Sequence, residues 1–153
     1  LKNHLIFYCQ RSYRRTTNER GSSLKIFMGP EAKLYQKLRR NIKDISWIRI
    51  ENLSSLGTPD LLGYNTSGHF FTLELKVTKG KKVRFSPHQL AWHLRHPNNT
   101  FILVEALGPR SSKLIPYFLV PGPRIRELDA CGLAKFDACR LTLEACRLKL
   151  QEV

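Results

Sequence analysis

The chain has 153 residues, 42% of them hydrophobic, enough for one packed domain and too few for two of ordinary size. Twenty-six Lys and Arg stand against twelve Asp and Glu, a formal charge of +14 that favours a polyanionic partner, nucleic acid ahead of an acidic membrane surface. No apolar run approaches the roughly 18 residues of a spanning helix, so no membrane span is expected, and with nucleic acid the preferred partner no membrane is expected as one.

Residues 1–28 are expected to form a basic, poorly ordered arm, with Arg11, Arg14 and Arg15 set among polar residues. Leu5 to Tyr8 is too short for a signal peptide. The only methionine is Met28, so the arm is either a flexible DNA-binding segment or sequence upstream of a start at Met28. Residues 29–120 are expected to carry the core and 121–153 a helical extension.

Pro30 to Asn41 predicts a helix, with Ala32, Leu34, Tyr35 and Leu38 on the apolar face and Glu31 in the first turn, where an acid suits the helix dipole. Ile45 to Ile50 predicts a first strand and Pro59 to Tyr64 a second, entered through Gly57. Asn65 to Gly68 is a turn, and Phe70 to Val77 a third strand paired antiparallel to the second. After the basic loop Lys79-Gly80-Lys81-Lys82, Ser86 and Pro87 open a helix that runs to Arg95. Thr100 to Leu107 is nearly all apolar, as in a strand buried on both faces, and the preceding helix is the crossover that lays it beside the third strand. Leu114 to Val120 predicts one more strand, and 124–130 and 136–151 two amphipathic helices. The fold class is α/β, an α/β/α sandwich around a mixed sheet.

The cysteines, Cys9, Cys131, Cys139 and Cys146, form no C-x-x-C pair. They are expected to be small core residues in a reducing cytoplasm. His88, His93 and His96 lack the fourth ligand of a structural zinc site.

Glu74 and Lys76 sit at i and i+2 of a strand and so share a face. Asp60 reaches that face across the hairpin, on an approach fixed by Pro59. Two carboxylates and the Leu75 backbone carbonyl suit a hard cation such as Mg2+, which prefers oxygen ligands. A cation there lowers the pKa of a water that can attack a phosphodiester, and Lys76 is placed to stabilise the developing charge. Gly57 is expected to leave room for a phosphate. The rival reading is an ordinary cross-strand ion pair, which a strand as apolar as Phe70 to Val77 disfavours. Lys79, Lys81, Lys82 and Arg84, with Arg39 and Arg40 on the first helix, are expected to bind the DNA backbone, and His88 to line the groove. Trp92 is expected in the core or groove wall. Glu51 is a reserve metal ligand.

Pro59-Asp60 and Glu74-Leu75-Lys76 resemble the paired motifs of the PD-(D/E)xK nuclease superfamily. With Glu31 before Gly57-Thr58-Pro59-Asp60, and Gln89 in Ser86-Pro87-His88-Gln89-Leu90-Ala91-Trp92 after them, the chain is most similar to the virus-type replication–repair nuclease family (VRR-NUC) over about residues 29–107. The resemblance implies a restriction-endonuclease-like fold and Mg2+ dependence, with Mn2+ as a substitute. It implies a structure-selective DNA endonuclease of replication, repair or recombination. It implies a cytoplasmic setting, either bacterial or in the host of a phage. It makes Asp60 and Glu74 metal ligands, Lys76 the catalytic lysine, Glu31 an auxiliary acid acting through water, and Gln89 a contact of the reacting groups. The alternatives are a Holliday-junction resolvase acting as a homodimer and a DNA-binding module with a vestigial site.

Overall fold

The computed structural model describes residues 28–50, 56–108 and 116–153. The arm up to residue 27 and Glu51 lie outside the described residues. Pro30 opens helix α1 (Pro30–Asn41), whose Leu34 and Leu38 are buried. Strands β1 (Ser46–Arg49), β2 (Leu61–Tyr64) and β3 (Phe70–Thr78) follow. Helix α2 (Pro87–Arg95) then leads to β4 (Thr100–Ala106) and β5 (Tyr117–Pro121). With a short strand β6 (Arg140–Leu141) at the far edge, the sheet order β1-β2-β3-β4-β5-β6 follows the sequence; β3 and β4 are parallel and every other pair is antiparallel. The single parallel pair is the one that needs a crossover, and α2 supplies it.

The strand period of two sorts the side chains into two cores. Phe71, Leu73 and Leu75 of β3 pack with Leu61, Leu103 and Leu119 against α1 and against Cys146 and Leu150 of helix α4 (Leu143–Gln151). On the other face, Ile102, Val104, Phe118 and Val120 meet Leu90 and Leu94 of α2 and Ile125 and Leu128 of helix α3 (Ile125–Cys131). The result is the expected α/β/α sandwich with a mixed sheet.

The predicted helix over 136–151 is corrected at its start. Gly132, at φ +62, ends α3, and two short 3-10 turns lead into strand β6 (Arg140–Leu141), which pairs with β5. Helix α4 begins only after Thr142, whose hydroxyl accepts from the Ala145 amide at 3.1 Å. Apolar periodicity alone could not show that Arg140 and Leu141 complete a sheet edge. Cys146 is buried as expected and Cys139 is half-buried against the second core, but Cys131 is exposed on α3 and is not a core residue.

Candidate active site

Pairing of β2 with β3 stops at Leu61 opposite Leu73. Two residues further along β3, the Leu75 amide donates to Asp60 Oδ2 at 2.8 Å, so the carboxylate takes the place of the missing strand. The carbonyl of a strand residue points to the same edge as its amide, so Leu75 presents its oxygen beside Asp60. Glu74 and Lys76 point to the α2 face. There Lys76 Nζ lies 3.0 Å from Glu74 Oε1. The Gln89 side-chain amide donates to the same oxygen, and Gln89 Oε1 accepts from Lys76 at 3.3 Å. Asp60, Glu74, Lys76 and Gln89 therefore lie together at this end of β3.

Gln89 is held from its own side by local sequence. The Ser86 hydroxyl accepts from the Gln89 amide at 3.2 Å, and Gln89 Oε1 accepts from the Ser86 amide at 3.0 Å, a capping box opened by Pro87. Lys76 also rides over the Phe85 ring, 5.3 Å from its centre.

Glu74 is 1% exposed. Burial, reinforced by the Asp60 carboxylate, pushes its carboxyl up to about 7, against the pull of Lys76 and Gln89. Burial also raises Asp60, opposed by the Leu75 hydrogen bond and by the positive charges of Lys76 and Arg49. Two carboxyls raised together at one strand end would be eased by a cation.

Glu31 faces Asp60 across a small cleft of about 20 Å³, room for about one water, lined also by Tyr35, Arg49, Leu61 and Leu75. Arg49 stands over the Tyr35 ring at 6.0 Å. From the sequence Tyr35 reads only as an apolar helix position and Arg49 carries no signal; Arg49 ends the strand beside β2, and only the pairing of the two places it next to Asp60. Among the described residues no three His, Cys, Asp or Glu side chains cluster. The donor set is thus two carboxylates and main chain. Glu74 Oε2 is buried without a hydrogen-bond partner, and that vacant carboxylate oxygen fits a hard, partly hydrated divalent cation.

Lys79, Lys81, Lys82 and Arg84 are exposed on the loop that follows β3, and Arg39, Arg40 and His88 are exposed on α1 and α2. The loop is braced by the C-terminal segment: the Leu133 amide donates to the Lys81 carbonyl at 2.8 Å, and the Phe85 amide to Asp129 Oδ1 at 3.3 Å. Gly57 needs a different explanation from the one its motif suggested. It has φ +84, and a Cβ there would lie 2.3 Å from the His88 carbonyl carbon and oxygen, so it makes room for the first turn of α2. Trp92 is half-buried and stacks on His96, with ring centres 4.4 Å apart.

No family model matches the chain, and no curated protein matches it either. Neither comparison shows the virus-type nuclease family. Among solved structures, the chain is similar to Hjc of Archaeoglobus fulgidus, a Holliday junction resolvase from an archaeal hyperthermophile. The TM-score is 0.43 at 14% identity, with 61% of this chain and 74% of that chain covered.

Proposed function

We propose that the chain is a divalent-metal-dependent, structure-selective DNA endonuclease of replication, repair or recombination. One observation carries the reading. A buried glutamate has one oxygen tied to a lysine and a glutamine and the other oxygen vacant, beside a second raised carboxyl.

Asp60, Glu74 and the Leu75 carbonyl would hold Mg2+, or Mn2+ in its place. When bound, the cation supplies Lewis-acid stabilisation of the phosphate and makes a water nucleophilic near neutral pH. Binding requires Glu74 to give up the proton that burial otherwise favours. Lys76, steered by Glu74 Oε1 and Gln89, neutralises charge growing on the phosphate oxygens as the new P–O bond forms and the ester bond breaks. Glu31, across the cleft, orients water. Gln89 contributes by fixing both Glu74 and Lys76. Lys79, Lys81, Lys82, Arg84, Arg39 and Arg40 grip backbone phosphates, which confers affinity with little base preference.

The test is cleavage of linear duplex, single strand, flap and four-way junction with Mg2+ or Mn2+, beside Asp60→Ala and Lys76→Ala. Cutting that needs metal and is lost in both variants is the expected result. Paired nicks on the junction by a protein of dimeric native mass would narrow the substrate to Holliday junctions. Tight, salt-sensitive DNA binding without cutting would instead make this a binding module.

A further inference from the structure

Among the described residues three buried polar side-chain atoms lack a partner: Glu74 Oε2, Thr72 Oγ1 and His93 Nε2. The first belongs to the site above. The other two belong to one interface. Thr72 precedes Glu74 by two residues on β3 and so shares its face, beneath α2. Thr72 stands opposite Thr100 of β4 in the ladder. The Thr100 hydroxyl is 2.8 Å from His93 Nδ1. His93 lies one helical turn after Gln89 on the same side of α2, so the helix sets Gln89 over Glu74 and Lys76 and His93 over the threonine pair. His93 is fully buried, and Gly122 leaves its ring space: a Cβ there would come within 2.8 Å of Nδ1.

Buried polar groups in folded proteins nearly always find a partner, and an internal water typically joins two to four of them. We propose that one buried water bridges His93 Nε2 and Thr72 Oγ1, and that His93 is thereby a positioning residue that keeps Gln89 on Glu74 and Lys76. Burial, with the nearby positive charges of Lys76 and His96, holds the His93 ring neutral by pushing it down to about 4. A neutral ring carries one proton, so one nitrogen donates and the other accepts. The Thr100 hydroxyl and the water can serve either tautomer, which makes the chain Thr100–His93–water–Thr72 self-consistent. The catalytic consequence rests on the nuclease reading; the water does not.

The test uses the full chain with Thr72→Val, His93→Gln, His93→Leu and the Thr72→Val/His93→Gln pair. Thr72→Val replaces only the hydroxyl, by a methyl group of similar size, so it serves should His93→Leu fail to fold. The bridge is expected to show as a changed His93 Nε2 nitrogen-15 resonance in Thr72→Val and as non-additive stability losses in the pair. An unmoved resonance with additive losses would overturn it. The positioning role is expected to show as a shifted Gln89 side-chain amide resonance in His93→Leu. It also predicts a loss in kcat of about tenfold at unchanged KM, partly restored by Gln. A folded His93→Leu protein with the Gln89 signal and kcat unchanged would overturn that role. If the wild type cuts nothing, the nuclease reading falls, while the resonances and the stability cycle still judge the bridge and the placement of Gln89.

Discussion

Glu74 and His93 make opposite contributions to stability as pH changes, and each can be exposed by removing the other. Glu74 sits 1% exposed with its carboxyl moved from the ordinary 4.5 to about 7. Between those values the folded chain keeps a proton that the unfolded chain has lost, so stability falls as pH rises through the window. At roughly 1.4 kcal/mol per pH unit, the displacement is worth about 3 kcal/mol. His93 moves the other way, from 6.5 to about 4. There the unfolded chain takes up a proton that the folded chain refuses, so stability rises with pH by about 3 kcal/mol across that interval. From pH 4.5 to 6.5 the two nearly cancel in the metal-free protein. Urea unfolding in EDTA at several pH values is the assay. Glu74→Gln should unmask a rise of about 3 kcal/mol between pH 4 and 6.5, and His93→Gln a fall of similar size between 4.5 and 7. Asp60, raised as well, adds to the fall. Saturating Mg2+ should abolish the fall by favouring the ionised carboxylates, adding about 2.7 kcal/mol at a hundred times its Kd. Parallel pH profiles for the wild type and Glu74→Gln would refute the assignment of a protonated Glu74.

Lys76→Ala should reduce kcat by about 10²–10³-fold while DNA affinity, read by fluorescence anisotropy, stays within a few-fold. Gly57→Ala should destabilise the chain by about 2 kcal/mol or more, because φ +84 is strained for alanine and its Cβ meets the His88 carbonyl; urea titration reads the loss. Activity should fall with it, since the first turn of α2 carries Gln89. Alanine at Lys79, Lys81, Lys82 or Arg84 should each lower the slope of log Kd against log salt by about one, with no change in base preference.

The helices and strands up to Val120 were legible because their signals are local: proline at the start of α1 and α2, a serine cap, a glycine turn and alternating apolar residues in β3. That Glu74 and Lys76 share a face was legible because strand periodicity fixes it, whereas Asp60, in the bend before β2, joins them through the pairing of β2 with β3. Contacts distant in sequence were hidden. Leu141 pairs with Tyr117 across a long interval, so β6 looked like part of a helix. Arg49 reaches Asp60 only through the pairing of β1 with β2. His93 looked like one of three histidines on a helix; its difference from His88 and His96 is burial against Thr100, which no short window contains. Gly57 was marked correctly as a place where backbone must come close, but the neighbour is α2.

Two buried glutamates on adjacent strands show why the site reads as functional. Glu105 of β4 is buried and paired with Lys37 of α1, and neither of its oxygens is buried without a partner. That is how a structural ion pair offsets its desolvation. Glu74 has a lysine and a glutamine on one oxygen and nothing on the other. A purely structural role would select against that vacancy, because an unmade buried hydrogen bond costs about 1–3 kcal/mol. The vacancy lies beside Asp60, which is itself raised by burial and anchored to the next residue of the same strand. On the proposed reading, a divalent cation held by both carboxylates would convert this destabilising pair into a site whose stability depends on its ligand.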